Sequence, residues 1–323
     1  MSVAVITGIT GQDGSYLAEH LLALGYTVHG FVRRTSHTVR QRIDHLTSDT
    51  IIYGRRLFLH YADLEDSTTI RRHLYRIRPD EFYHLAGQTH VGASFEIPES
   101  TCQFAAMGTL RLLELLRDCE PVPKFLHVSS SEIFGNPTDS PQNENTPFRP
   151  ISPYGAAKAF ATDMVRIYRD SFGLFACNAI CYNHESPRRG ESFVTRKITR
   201  AAARISRGQQ SELVLGNLSG RRDWGFAPDY VTAFRQMLKN QVANDFVLST
   251  GVMHQVRDWL DIAFEAVGLD WTKYVKQDER FQRRSDSQNL VGDSSFAQTV
   301  LGWSPQTSFS DMVHAMVAAD LEC

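Results

Sequence analysis

The stretch Val3-Ala4-Val5-Ile6-Thr7-Gly8-Ile9-Thr10-Gly11-Gln12-Asp13-Gly14 stands near the start of the chain and reads as a strand running into a glycine turn. Past it, Tyr16, Leu17, Leu21, Leu22 and Leu24 recur at helical spacing. A strand–turn–helix of this kind brings backbone amides and the positive end of a helix up to a diphosphate. The spacing G-x-x-G-x-x-G is one residue longer than the common dinucleotide fingerprint. A tight turn with no ligand is the alternative reading, but the glycines sit at the first strand–helix junction, where such sheets hold their cofactor. Gly8, Gly11, Gln12, Asp13 and Gly14 are therefore candidate cofactor contacts.

Working outward, Thr27 to Val32 reads as a second strand whose end should carry the selector for the adenosine ribose. An NAD enzyme usually places a carboxylate there. Here the strand ends in Arg33-Arg34-Thr35-Ser36, and two guanidiniums suit a 2′-phosphate, which points to NADP. A solvated basic loop is the alternative. A third strand, Leu57 to His60, leads to Asp63, placed to accept from the adenine amino group, and Leu64, placed to cover the ring. A helix follows from about Ser67 to Arg76. The fourth strand, Glu81 to Leu85, ends in Ala86-Gly87, where small residues permit close approach of the cofactor to Leu85 and Ala86. Thr101 to Arg117 reads as one long helix. The fifth strand, Lys124 to Val128, delivers Ser129-Ser130-Ser131-Glu132 at its carboxyl end, the end at which ligands of open parallel sheets bind. Leu174 to Cys181 is a sixth strand, after which the alternation fades. These elements predict an α/β fold, a Rossmann-like doubly wound parallel sheet with a smaller, interleaved C-terminal substrate lobe. The expected division is 1–183 with 224–252 for the cofactor domain, and 184–223 with 253–323 for the substrate lobe.

Ser152-Pro153-Tyr154-Gly155-Ala156-Ala157-Lys158 adds chemistry, because residues four apart lie one above the other on a helix face. An unperturbed tyrosine has a pKa near ~10, and a fixed ammonium nearby favours its phenolate. A phenolate beside an oxidised nicotinamide can take the proton of an alcohol as its carbon is oxidised. By itself the spacing also fits a solvated helix face.

The totals exclude other classes. At 323 residues with a formal charge of −2, the chain offers no basic field for nucleic acid. No apolar run reaches the ~18 residues of a membrane span. The N-terminus lacks a basic region and reads as a strand, not a signal peptide. The five cysteines are an odd number without metal-like pairing, so a cytoplasmic protein with no metal site is expected.

Several longer stretches resemble the extended short-chain dehydrogenase/reductases, and more narrowly the GDP-mannose 4,6-dehydratase family. They are Thr7 to Gly14, Arg33-Arg34, Ser129 to Gly135, Ser152 to Lys158, Asn183 to Glu191, Phe193 to Lys197 and Arg221 to Gly225. The run Asn183-His184-Glu185-Ser186-Pro187-Arg188-Arg189-Gly190 is the most specific. The resemblance implies a catalytic set of Ser130, Glu132, Tyr154 and Lys158, with serine where the family usually has threonine. It implies nucleotide-sugar contacts at Ser131, Asn183, Lys197, Gly216, Arg222 and Arg283. It puts His184 and Arg189, with Tyr154 and Lys158, beside an NADP cofactor. It also implies a GDP-sugar substrate and a homodimer or homotetramer, the dimer through helices near 101–117 and 153–172. Departures at Gly87, Ile151 and Arg284-Ser285-Asp286 bear on which sugar is bound. A related dehydratase on another GDP-hexose or GDP-heptose, a 4-epimerase, a nucleotide-sugar decarboxylase and a non-catalytic NADP sensor remain as alternatives.

Overall fold

The computed structural model describes residues 2–35, 40–278, 280 and 289–322. Among them twelve strands follow in chain order: β1 Val3–Thr7, β2 Thr27–Val32, β3 Leu57–Tyr61, β4 Glu81–His84, β5 Lys124–Ser130, β6 Ala176–Cys181, β7 Asn183–Glu185, β8 Leu213–Leu215, β9 Arg221–Phe226, β10 Asp245–Leu248, β11 Met253–Gln255 and β12 Val275–Gln277. Seven of them form one parallel sheet in the order β10-β6-β5-β4-β1-β2-β3. A parallel sheet needs both faces covered, so its strands bury side chains on both sides. β4, β6 and β10 are buried at every residue. One face packs under helices Gln12–Ala23 and Ala227–Lys239 through Leu17, Leu21, Phe234 and Met237. The other packs through Leu74, Leu112, Leu116 and Val165. The fold is the expected doubly wound, Rossmann-like one. The strand order reverses between β1 and β4, and the crevice beyond their carboxyl ends is the ligand position of such sheets.

Directly after β6 the chain leaves the sheet. β7 pairs with β9 in a three-stranded sheet, β11-β9-β7, while β8 pairs with β12. Helices Val194–Ser206, Val256–Glu265 and Phe309–Glu322 enclose a second core of Ile198, Ala202, Trp259, Phe264 and Met316. The chain returns to the main sheet twice. The second return, at Ala297 and Trp303, lies in the part that the sequence assigns to the substrate lobe. Trp303 brings it back: its Nε1 donates to the Asp229 carbonyl at 2.9 Å and its ring meets the Tyr230 ring edge-on.

Two boundaries differ usefully from expectation. β5 runs to Ser130, so Ser129 and Ser130 sit on the strand itself. The long helix begins at Pro98 and contains a π turn, Gln103–Met107, before it continues as Gly108–Arg117. No helix among the described residues is long and apolar enough to cross a membrane.

One buried carboxylate ties the second unit to the end of the sheet. Asp223 on β9 accepts from Thr250 N (2.9 Å), Thr250 Oγ1 (2.6 Å), Gly251 N (2.9 Å) and Gly292 N (3.3 Å). Removing the acceptor strands four donors at once, of which Gly292 N is buried. Asp223→Ala should cost roughly 1–3 kcal/mol, read as a lower denaturant midpoint with the far-UV spectrum retained.

Candidate active site

The glycine turn is shaped by backbone contact between β1 and the residues after β4. Gly8 has φ 74°, and a Cβ there would lie 2.9 Å from the Ala86 nitrogen. A Cβ on Gly14 would lie 2.2 Å from the Gly8 carbonyl oxygen. Neither position tolerates a side chain. Helix Gln12–Ala23 starts from Gly11 with no side-chain cap, so its first amides are left for a ligand. This cradle fits a dinucleotide diphosphate.

A second segment clamps the turn. Gln12 Nε2 donates to the His184 carbonyl (3.1 Å), Ser186 Oγ donates to Gln12 Oε1 (2.8 Å), and Arg188 Nη1 reaches Ser15 Oγ (3.1 Å). His184 Nδ1 lies 2.8 Å from the Tyr182 carbonyl and Nε2 lies 2.9 Å from Asp13 Oδ2. A carbonyl and an ionised carboxylate both only accept, so both ring nitrogens carry protons and the pair is imidazolium–carboxylate. Burial opposes charge on each partner, but their mutual attraction outweighs it. The His184 pKa is raised and the Asp13 pKa is lowered.

A cavity of about 370 Å³ opens beyond the ends of β4, β5 and β6. Ser130, Glu132, Tyr154 and Lys158 all line it, as do Asn183, His184, Arg189, Lys197, Gly216, Arg222, Asp13 and Leu85. Helix Pro153–Phe172 supplies Tyr154 and Lys158, its start fixed by Ser152 Oγ accepting from Gly155 N at 3.0 Å. A Cβ on Gly155 would lie 2.5 Å from the Glu132 carbonyl oxygen, so the helix seats directly on the Glu132 turn. Burial pushes the Tyr154 phenol well above its ordinary range. A hydrogen bond from Ser130 and the charge of Arg189 pull it down, while Glu132 pushes it up.

Lys158 is tied to the strand that carries the serines. Its Nζ donates to the Val128 carbonyl at 2.7 Å and lies 3.4 Å from His127 Nε2. Only 5% of it is exposed, and burial brings its pKa down to about 8. Ser130 and Arg189 favour the phenolate here. The Val128 carbonyl takes a charge-assisted hydrogen bond from the ammonium.

Other predicted residues lie elsewhere. Ser131 is buried behind Ser130 and does not line the cavity. Gly8, Gly11, Gln12, Gly14 and Ala86 form the turn beside it. Arg33 and Arg34 are exposed beyond β2, their guanidiniums 5.9 Å from the Phe104 ring and 5.6 Å from the Tyr61 ring. Neither is paired with a carboxylate among the described residues. Asp63 accepts from Glu65 N, and Leu64 packs near Gly108. Arg283 lies outside the described residues. The sequence reading missed Thr89 to Gly92, Glu185 and Phe193. The first group follows β4 at the switch point, which could have flagged it. Glu185 is buried, accepts from Thr195 Oγ1 at 2.6 Å and pairs with Arg189, whose guanidinium lies 3.6 Å over the Phe193 ring. A separate hollow of about 610 Å³, near Glu144, Arg166 and Asp245, contains none of the predicted residues.

Residues 5–316 match the GDP-mannose 4,6 dehydratase family. The chain belongs to that family. It is 51% identical over 325 residues to GDP-mannose 4,6 dehydratase 2 of Arabidopsis thaliana, covering 99% of this chain and 87% of the relative. Identity to a GDP-mannose 4,6-dehydratase of Vibrio cholerae is 44%, covering 99% and 94%. A dTDP-glucose 4,6-dehydratase structure from Streptomyces venezuelae with NAD bound superposes with a TM-score of 0.87 at 24% identity, covering 99% and 97% of the two chains. That likeness concerns the fold.

The Asp13–His184 pair makes stability depend on pH in this family member. The raised His184 pKa gives stabilisation that is full below its ordinary 6.5 and is lost as pH rises through the folded-state value. The lowered Asp13 pKa gives stabilisation present above 3.8 and lost as pH falls through its folded value. Asp13→Asn should therefore be less stable by roughly 2–4 kcal/mol at neutral pH. The gap to the parent, measured by urea unfolding, should shrink as the buffer is made alkaline.

Proposed function

We propose that the protein converts GDP-mannose to GDP-4-keto-6-deoxymannose with loss of water, using NADP. The observation that carries this reading is the convergence of Ser130, Glu132 and Tyr154 in one cavity that Lys197 and Arg222 also line. The names of the relatives support the substrate.

Tyr154, its phenolate stabilised by the Ser130 hydroxyl, takes the proton of the sugar 4-hydroxyl, and as that proton arrives the single Ser130 donor turns to the 4-oxygen. A 4-ketone acidifies the C5 proton. Glu132 removes that proton and passes it to the departing 6-hydroxyl, so one carboxylate serves as base and then acid, and C5 takes a proton back from solvent as C6 is reduced. NADP, when bound, supplies the hydride acceptor for C4 and the donor for C6. The cradle at Gly8, Gly11 and Gly14 would hold its diphosphate, and His184 and Arg189 would border its nicotinamide end. Lys158 presents a positive charge to the cavity below pH about 8. Arg222, Lys197, Asn183 and Gly216 would take the nucleotide sugar. In keeping with this reading, 1–183 with 224–252 form the cofactor domain, the return at Ala297 and Trp303 being joined to it. Ile97, Met107, Phe160 and Ile167 leave apolar surface exposed on and beside the two long helices, which supports a dimer there. The free thiols of Cys102, Cys119, Cys177 and Cys181 support a cytoplasmic location.

Incubation with GDP-mannose in heavy water should give a product lighter by one water, with solvent deuterium at C5. Glu132→Gln should slow its formation by ~10²–10⁴-fold. A dehydrated product that retains its C5 hydrogen would sink the mechanism, an unchanged mass would indicate epimerisation, and release of carbon dioxide would indicate a decarboxylase.

Cofactor choice is tested separately. Replacing Arg33 and Arg34 by alanine should weaken NADP ~10–100-fold, consistent with the loss of charge-assisted phosphate contacts, while NAD affinity barely moves. Equal losses for the two cofactors in a binding titration would reject a 2′-phosphate site at these arginines.

A further inference from the structure

His127 lies on β5, fully buried, directly beneath the candidate active site and outside every role described above. Its protonation state follows from its neighbours. Asn178 Nδ2 donates to the Thr162 carbonyl (3.1 Å) and to Asp245 Oδ1 (2.8 Å), two groups that only accept. The orientation of the amide is thereby settled, and its Oδ1 faces His127 Nδ1 at 3.0 Å. His127 Nδ1 must carry the proton and donate. Nε2 is then a bare lone pair, and it faces Lys158 Nζ at 3.4 Å. The donors run in one direction, from Lys158 to His127 to Asn178 to Asp245. The chain ends on a buried carboxylate held by Arg166 at 2.5 Å and Arg169 at 2.9 Å.

We propose that His127 is a positioning residue for Lys158, a neutral imidazole that accepts one ammonium N–H from below so that the lysine presents its remaining donor to the active-site cavity. An ammonium has three donors. The Val128 carbonyl takes one and His127 takes a second, which leaves one for a sugar or cofactor hydroxyl. Without the second tie the head group could rotate about its stem, and the cavity-facing donor would lose its direction.

The groups around this contact suit a neutral imidazole. On β4, His84 stacks against His127 with ring centroids 5.8 Å apart. His84 is itself neutral: Thr109 Oγ1 donates to the Ala105 carbonyl, so His84 Nε2 donates to Thr109 and Nδ1 accepts from Thr7. Cys181 on β6 lies near Lys158, with Tyr154 on its own helix and Glu132 and Asp13 lining the same cavity. Burial, then the Lys158 charge, then His84, hold the His127 pKa well below its ordinary value. Burial also opposes charge on Lys158. Loss of an acceptor would add to that cost and let the ammonium lose its proton at lower pH.

The inference rests on the proposed role of Lys158, so its test needs a readout of its own. In ¹⁵N-histidine-labelled wild type, assigned with His127→Gln, the His127 ring should show a protonated Nδ1 and an unprotonated Nε2 from pH 6 to 9. A protonated Nε2, or an imidazolium, at neutral pH would overturn the proposal whether or not the protein turns over. The second arm follows kcat/KM against pH for wild type, His127→Phe and His127→Gln, normalised to folded protein. His127→Phe should lose ~10-fold or more in kcat and move the alkaline limb down by about one pH unit. His127→Gln, which keeps a carbonyl acceptor, should restore the limb. An unshifted limb in His127→Phe would also overturn it. If His127→Phe does not fold, the ring tautomer decides. Failure of the wild type to dehydrate GDP-mannose, or full activity in Lys158→Ala, would instead reject the proposed function and leave the tautomer result standing.

Discussion

The part-buried pair of Asp13 and His184 is the contact on which the site depends. It joins the first turn of the sheet to the segment that leaves the sheet after β6, so it holds the cofactor cradle against the wall that carries Arg189 and Lys197. Neither partner is stable alone. A lone imidazolium or carboxylate at this depth would neutralise, but together they keep opposite charges and a fixed geometry. The His184 ring also stacks on Tyr230, centroids 4.6 Å apart, and a Cβ on Gly225 would lie 2.7 Å from the Tyr230 hydroxyl oxygen. The glycine after Trp224 is thus set by the same stack.

Burial dominates the chemistry of the cavity. It raises the Tyr154 phenol and lowers the Lys158 ammonium, so both side chains lean toward their neutral forms before a substrate arrives. The structure offsets this with particular neighbours rather than with solvent. Ser130 and Arg189 favour the phenolate, and the Val128 carbonyl holds the lysine proton. Arg189 can serve there because Glu185 and the Phe193 ring pin its guanidinium. The same arginine, read as a cofactor contact, also acts on the acidity of Tyr154.

Much of this was legible from the residues in order. Apolar runs alternating with helical periodicity specify a parallel sheet, and Gly8, Gly11 and Gly14 mark the first turn because only glycine fits where backbones touch. Tyr154 and Lys158 share a helix face by spacing alone, and Ser130 and Glu132 sit at a strand end. Such features are local: period, steric permission and distance along the chain determine them.

The tertiary structure decided what depends on groups distant in the chain. Spacing put Lys158 on the helix face of Tyr154, and the folded chain adds ties from its ammonium to the Val128 carbonyl and the His127 ring, 30 and 31 residues away. The protonation of His184 depends on Asp13, 171 residues away, and that of His127 on Asn178, 51 residues away. The second return of the chain to the sheet rests on Trp303 finding Asp229 and Tyr230. Sequence alone determined which side chains were available and on which local face they stood. Burial and partner choice, which set their charge and direction, exist only once the chain has folded.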